Sequence, residues 1–316
     1  MPAELTVWLD CDPGFDDWLA MLLLKQCRFA RWVGMSVVAG NAPLEVTLDN
    51  TLRICDLHGW SVPVHAGSAQ PLQGAQETAQ NILGGQGMRT SGAKLPPTTR
   101  RATSRDAASA LLAQIQSSDE PLVILATGPL TNLADAIARD RLTMGRVREI
   151  VLMGGSIDRG NHTPAAEFNV FADPLAAAQV FASGIPLRMF GLNLCRQLLL
   201  TREHVGAVQA LPGQIAGCVA GYLDAYQRIR SVDGREPMPL YDPAVVLWLA
   251  RPELFEFQAT PVDIELQGQF TRGMTVCDLR NRTGRPCNVQ IAMKASADEA
   301  MQAFMRLLLQ ALEPAN

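Results

Sequence analysis

The chain has 316 residues, 48% of them hydrophobic, with 27 basic against 31 acidic side chains for a net charge of −4. That is ample apolar material for a large core, and the near balance of charge provides no polycationic surface for a nucleic-acid polymer. No apolar run approaches the roughly 20 residues that a membrane-spanning helix needs, so no membrane partner is read. In chain order, short apolar runs at 5–9, 32–38, 122–126, 150–153 and 187–190 have the length of buried parallel strands. Between them, 16–27, 44–57, 105–116, 132–139 and 174–183 carry helical periodicity. Strand and helix in alternation predict an α/β fold: an open, mostly parallel, Rossmann-like sheet with helices on both faces. The last third adds apolar runs at 262–266, 273–279 and 288–294. It closes with a long amphipathic helix, before which Ser296 and Glu299 have capping-box spacing.

Two stretches lack periodicity: 84–104, rich in Gly, Pro, Ser and Thr, and 228–240, with two prolines. Long irregular loops in such a fold often cover an active site. With no repeat and no linker, residues 1–316 read as one domain. The seven cysteines are scattered and form no Cys-x-x-Cys pair; buried thiols in a reducing cytoplasm account for them better than a disulfide framework. The N-terminus has no basic segment followed by an apolar stretch, so no signal peptide is expected.

The sharpest signal is Asp10-Cys11-Asp12-Pro13-Gly14-Phe15-Asp16-Asp17, between the first apolar strand and the first apolar helix. Ligands bind at the C-terminal ends of strands in open parallel sheets. Four carboxylates in eight residues repel one another unless something compensates. A helix N-terminus, with about half a positive charge, accounts for Asp16 and Asp17 but not for Asp10 and Asp12. The remainder points to a bound divalent cation, and an all-oxygen donor set favours calcium or magnesium over zinc. The spacing does not fit a calcium EF-hand loop, because Pro13 and Phe15 interrupt the alternation of acids. The haloacid dehalogenase phosphatases also open with Asp-x-Asp, but a threonine usually follows where this chain has Gly14 and Phe15.

With this cluster the sequence resembles the inosine–uridine-preferring nucleoside hydrolase family, whose N-terminal signature is Asp-x-Asp-Pro-Gly-x-Asp-Asp. Val38-Ala39-Gly40-Asn41, Thr127-Gly128-Pro129-Leu130-Thr131-Asn132 and Val151-Leu152-Met153-Gly154-Gly155 continue the likeness. So do Gly160-Asn161, Ala166-Glu167-Phe168-Asn169, Ala172-Asp173-Pro174 and Gly273-Met274-Thr275-Val276, in the family's order and spacing. The resemblance implies calcium-dependent hydrolysis of the N-glycosidic bond of a small-molecule ribonucleoside, to free base and ribose. It implies calcium ligation by Asp12, Asp17 and Asp242 with the Thr127 carbonyl. Asp12 would be the general base for the attacking water, with Asp10 holding the arrangement and Asn41 near that water. Asp16, Asn169 and Asp242 would grip the 2′ and 3′ hydroxyls, and Asn161, Glu167 and Met153 would surround the 5′ end. A homodimer or homotetramer is implied as well.

The residue types suit that chemistry. Cleavage builds positive charge on the ribose ring, which acids stabilise, and vicinal hydroxyls need paired acceptors. Each residue also has a plainer reading. Thr127 and Asn132 could shape a turn and cap a helix, and Asp173-Pro174 and Asp242-Pro243 could be two helix starts. Glu167 and Asn169 have the spacing of one side of an extended segment, and Met153 could be core packing.

The pattern breaks at two places. The family's His-Asp-Pro appears as Tyr241-Asp242-Pro243, and its His-Gly-x-x-Gly loop as Leu83-Gly84-Gly85-Gln86-Gly87. The leaving-group acid is therefore open. Tyr241 could donate a proton or stack on the base, Arg230 could stabilise charge on it, and His162 reads as a loop residue. Two other readings follow: a calcium-dependent nucleoside- or ribose-binding protein with little or no catalysis, or a hydrolase of a non-standard N-riboside.

Overall fold

Residues 4–230 and 236–313 are described in the computed structural model. Residues 1–3, where the reading of no signal peptide begins, 231–235 of the irregular 228–240 segment, and 314–316 lie outside the described residues. Six strands, β1 (Leu5–Cys11), β2 (Ala30–Val37), β3 (Val64–Ala66), β4 (Val123–Ala126), β5 (Glu149–Met153) and β6 (Leu187–Phe190), stand side by side in the order β3-β2-β1-β4-β5-β6. Val289–Ala295 continues the sheet parallel to β6, and Phe255–Thr260 closes it as an antiparallel edge. β1 is buried from Thr6 to Cys11, as a strand covered on both faces must be.

The chain leaves β1 toward β2 on one side and toward β4 on the other, so a crevice opens at their C-terminal ends where the strand order reverses. Register fixes what meets there. Asp10 lies opposite Ser36 of β2 and Ala126 of β4, so Asp12 and Thr127 both emerge just beyond paired strand ends.

Helix α1 (Phe15–Gln26) follows the acidic turn and is buried along most of its length. It is apolar all round because it is wedged beneath the helices Pro243–Ala250 and Ala297–Leu312. Val7 and Leu9 of β1 join the core on that face, whereas Trp8 joins a second core with Ile124 and Leu152 on the other.

The five expected strands and five expected helices of the first two thirds are present to within a few residues. Other expectations are corrected. The runs at 262–266 and 273–279 form a separate antiparallel pair, Val262–Ile264 with Thr275–Cys277, outside the main sheet. β3 goes unseen because three residues show no period. Phe255–Thr260 goes unseen because an edge strand is only half covered. Ser296 stands at the N-cap of the last helix but its side chain makes no capping bond.

Candidate active site

The acidic turn is held from three sides. Asp10, fully buried, accepts at Oδ1 from Ser36 Oγ and from Asn132 Nδ2 (2.8 Å). Ser36 is itself oriented by the Trp8 indole N–H (2.9 Å). Asn132 therefore clamps Asp10 rather than capping a helix, and its Oδ1 accepts from Ser68 N (2.8 Å). Asp12 Oδ2 accepts from the backbone N–H of Asn41 (2.6 Å), and Asn41 Nδ2 donates to Asp12 O (3.0 Å) and reaches Asp17 Oδ2 at 3.5 Å. Asp17 accepts from Gly14 N (2.9 Å) and from Thr127 Oγ1 (2.7 Å). It is thus a helix cap and a candidate site residue at once.

The downstream residues converge on the same crevice. Ligand-capable oxygens of Asp16, Asp17 and Asp242 lie within 4.8 Å of one another. Asp16 also shares hydrogen bonds with Asp242 and with Tyr226. Asp12 stands outside that triplet but beside it, joined to Asp17 through Asn41. Both Asp173 and Asp242 precede a proline at a helix start. Asp173 Oδ1 caps its helix by accepting from Ala176 N (3.0 Å), whereas Asp242 makes no capping bond and turns to the acids.

Asn169 donates from Nδ2 to Thr127 O (2.8 Å) and Met153 O (3.1 Å). Both amide protons are used, which leaves Asn169 Oδ1 as an acceptor on the cleft wall. Glu167 and Asn169 do not share an extended segment. Glu167 is the N-cap of the short helix Phe168–Ala172 and accepts from Gly155 N (2.9 Å) and Asn169 N (2.8 Å). Asn161 Oδ1 accepts from Phe168 N (2.9 Å), which draws the 161–168 loop to the cleft.

Asp16, Asn41, Thr127, Met153, Asn161, Glu167, Asn169, Tyr241 and Asp242, each named from sequence, line one cleft. Asp10, Asp12 and Asp17 lie beneath it. Residues not found by the sequence reading line it too: Phe15, Ile82, Met88, Arg89, Phe168, Tyr226 and Ile229. Tyr226 belongs to the helix Gln214–Gln227, where Gly217, Cys218 and Gly221 blur the apolar stripe. The i, i+4 pair Tyr222 and Tyr226 is the signal that was available. His162, read as a loop residue, lies in a loop that lines the cleft, its ring packed against Phe168 and Phe171. Arg230 is absent from the lining and instead reaches Pro237 O (3.3 Å) and Glu236.

Burial, and next the charge of Asp17, pushes the Asp12 carboxyl well up. Burial with Asp16 and Asp17 does the same to Asp242. Asp10 and Glu167 are raised to about 7, and Asp17 to about 8, each chiefly by burial. Such a cluster is costly when ionised without a counter-charge. Among the described residues, Asp12 Oδ1 is buried with no hydrogen-bond partner. The backbone also crowds this carboxylate: a Cβ on Gly128 would stand 2.8 Å from Oδ1, and one on Gly40 2.1 Å from Oδ2. An orphaned carboxylate oxygen, an all-oxygen donor set and side-chain-free walls fit a hard divalent cation.

With this geometry in place, comparison with known proteins shows where the chain falls. The profile of the family described as inosine-uridine preferring nucleoside hydrolase matches residues 7–302. A pyrimidine-specific ribonucleoside hydrolase, RihA of Shewanella oneidensis, is 38% identical over 311 residues, covering 96% of this chain and 95% of that protein. A second, RihB of Escherichia coli, is 34% identical over 291 residues, with 92% of each chain covered. Among solved structures, a purine-preferring ribonucleoside hydrolase from Gardnerella vaginalis superposes with a TM-score of 0.90 at 26% identity, covering 98% of this chain and 100% of that one. The match to that profile over nearly the whole chain and the likeness to ribonucleoside hydrolases in sequence and fold show that the chain belongs to the inosine-uridine preferring nucleoside hydrolase family.

Proposed function

We propose that this chain hydrolyses the N-glycosidic bond of pyrimidine ribonucleosides with the help of a bound calcium ion. The observation that carries the reading is the convergence of Asp16, Asp17 and Asp242 beside the unpartnered Oδ1 of Asp12. Asp12, Asp17, Asp242 and the Thr127 carbonyl would hold the ion; the Thr127 oxygen keeps a second lone pair beyond its bond to Asn169. When bound, calcium offsets the acids' repulsion and lowers the pKa of a water.

The chain's own groups do the rest. Asp12 is the general base: Asn41 N fixes Oδ2, and Oδ1 is left to accept the proton of the attacking water. Asp10, saturated at Oδ1 by Ser36 and Asn132, anchors the strand end from which Asp12 projects. Asp16, Asp242 and Asn169 Oδ1 accept from the 2′ and 3′ hydroxyls, and Asn161, Glu167 and Met153 close around the 5′ end. Positive charge developing on the ribose is stabilised by this negative floor. Phe15, Phe168, Tyr226 and Ile229 give the cleft an apolar side, which suits a flat base. The pyrimidine preference is carried over from the names of the two sequence relatives. A homodimer or homotetramer and a cytoplasmic site belong to the same proposal, the latter supported by seven free thiols. Among the described residues, no helix is long and apolar enough to cross a membrane.

The test is a panel of purine, pyrimidine and nicotinamide ribosides, followed by release of base and reducing sugar, with and without a chelator. Uridine and cytidine turnover that stops on chelation and returns with calcium supports the proposal. Nucleoside binding by calorimetry with no product, in calcium, replaces it with a binding protein. That second reading draws on the absence of both family imidazoles.

A further inference from the structure

Among the described residues lining this cleft, His162 is the one imidazole, and its ring packs against Phe168 and Phe171. The two positions where the family's motif has imidazoles hold Tyr241 and Leu83 in this chain. Tyr226 and Tyr241 line the cleft as phenols, which are weak acids near neutrality. A different group stands at the same rim. Arg89 is the only lysine or arginine among the described residues lining the cleft, and among the described residues no hydrogen bond or ion pair engages its guanidinium.

Its position is built. Asn50 Nδ2 donates both to Pro13 O in the acidic turn (3.1 Å) and to Gln86 O (2.8 Å), which ties the 84–89 loop to the floor. Gly87 N closes a turn onto Gly84 O (2.8 Å). Gly84 has φ +83, and a Cβ there would stand 3.3 Å from Arg89 Cγ and 3.4 Å from Nε. The arginine stem thus lies across a glycine that must stay bare, and Met88 beside it is buried.

We propose that Arg89 is a catalytic residue for the leaving group, binding the departing base as an anion so that cleavage needs no protonated donor. This inference rests on the hydrolase reading above. As the C1′–N bond breaks, its electron pair moves to the base nitrogen, and in uracil it is shared with the ring carbonyl oxygens. The water oxygen bonds to C1′, its proton passes to Asp12, and the free base later takes a proton from solvent. Arginine does not give up its proton, so it acts here as a charge. Its paired N–H groups match a nitrogen and carbonyl edge in the way they match a carboxylate. Bases that are stable anions leave readily, and bases that must first be protonated leave slowly.

The experiment compares uridine, cytidine, adenosine and 4-nitrophenyl riboside, whose nitrophenolate needs no help to leave. The proteins are the wild type, Arg89→Met, Arg89→Lys and His162→Asn, each with calcium. Because buried charge donors contribute 10²- to 10³-fold and Arg89 is exposed, Arg89→Met is expected to lower uridine kcat by roughly 10- to 100-fold. The same variant should change nitrophenyl riboside kcat by less than about threefold, with Arg89→Lys between the two. The dependence of kcat on leaving-group pKa then steepens. Methionine keeps the stem, so an unchanged melting temperature accompanies the loss. Equal losses on every substrate, no loss at all, or a leaving-group-dependent loss that appears in His162→Asn instead overturns the proposal. If the wild type cleaves none of the four, the hydrolase reading itself fails. Wild-type cleavage with an indifferent Arg89→Met variant refutes only the role of Arg89.

Discussion

The floor and the rim of the cleft are made in opposite ways. Asp10, Asp12, Asp17 and Asp242 are each at most 3% exposed, and the first three are held by bonds from Ser36, Asn132, Asn41, Gly14 and Thr127. The rim residues Asn161, His162 and Arg89 are exposed and come from loops. Buried polar groups with many partners cannot shift without leaving something unsatisfied, whereas loop side chains change at little cost. On the proposed reading, the sugar and the reaction fall to the floor, and the choice of base and its departure fall to the rim.

That division is open to attack from the floor first. Asp12→Asn should lower kcat by about 10²- to 10⁴-fold and weaken the calcium stabilisation, as measured by steady-state kinetics and melting with and without calcium. Asp242→Asn should in addition remove the stabilisation by calcium. In the wild type at a thousandfold excess over Kd, that stabilisation is about 4 kcal/mol, read as a rise in melting temperature that a chelator reverses. A surviving calcium shift in Asp242→Asn would move the ion elsewhere. Next comes the wall. Gly40→Ala places a Cβ against Asp12 Oδ2, and a displacement of about 1 Å is enough for roughly a 10²-fold loss. At the rim, Tyr241→Phe keeps the ring and removes the hydroxyl. Less than about a tenfold fall in kcat fits a packing role, whereas a loss on the scale of a missing general acid, about 10² or more, would make Tyr241 part of the chemistry.

The smallest effect is on stability alone. Burial holds His58 at about 4, and its Nε2 accepts from the Trp18 indole (3.0 Å). The folded ring stays neutral where the unfolded one, near 6.5, takes up a proton. This contribution is complete above about pH 6.5 and falls as the pH drops toward 4. Melting temperatures between pH 7.5 and 4.5 should therefore fall less steeply in His58→Gln than in the wild type.

Much of the floor was legible because it is local. Asp10 to Asp17 lie in one strand–turn–helix unit, and the alternation of strands and helices fixed where that unit sits. What escaped depends on tertiary partners. Asp173-Pro174 and Asp242-Pro243 are the same dipeptide at the same helical position, yet one carboxylate caps its own helix and the other joins the acids. Nothing local separates them; the partners across the fold do. Tyr226 and Arg89 escaped for a related reason. A glycine-bearing helix and an aperiodic loop carry little pattern, and their value appears only once the sheet has placed them over its C-terminal edge. The spacing of Glu167 and Asn169 misled because period two says nothing about where a helix begins.

The bare backbone at Gly40 and Gly128 has a consequence for how such a protein can diversify. A Cβ on either glycine would meet the Asp12 carboxylate, so neither wall can gain a methyl without something shifting. Mutation is left no graded path through the interior of this pocket. Changes of substrate preference are then easier in the loops above than in the chamber beneath.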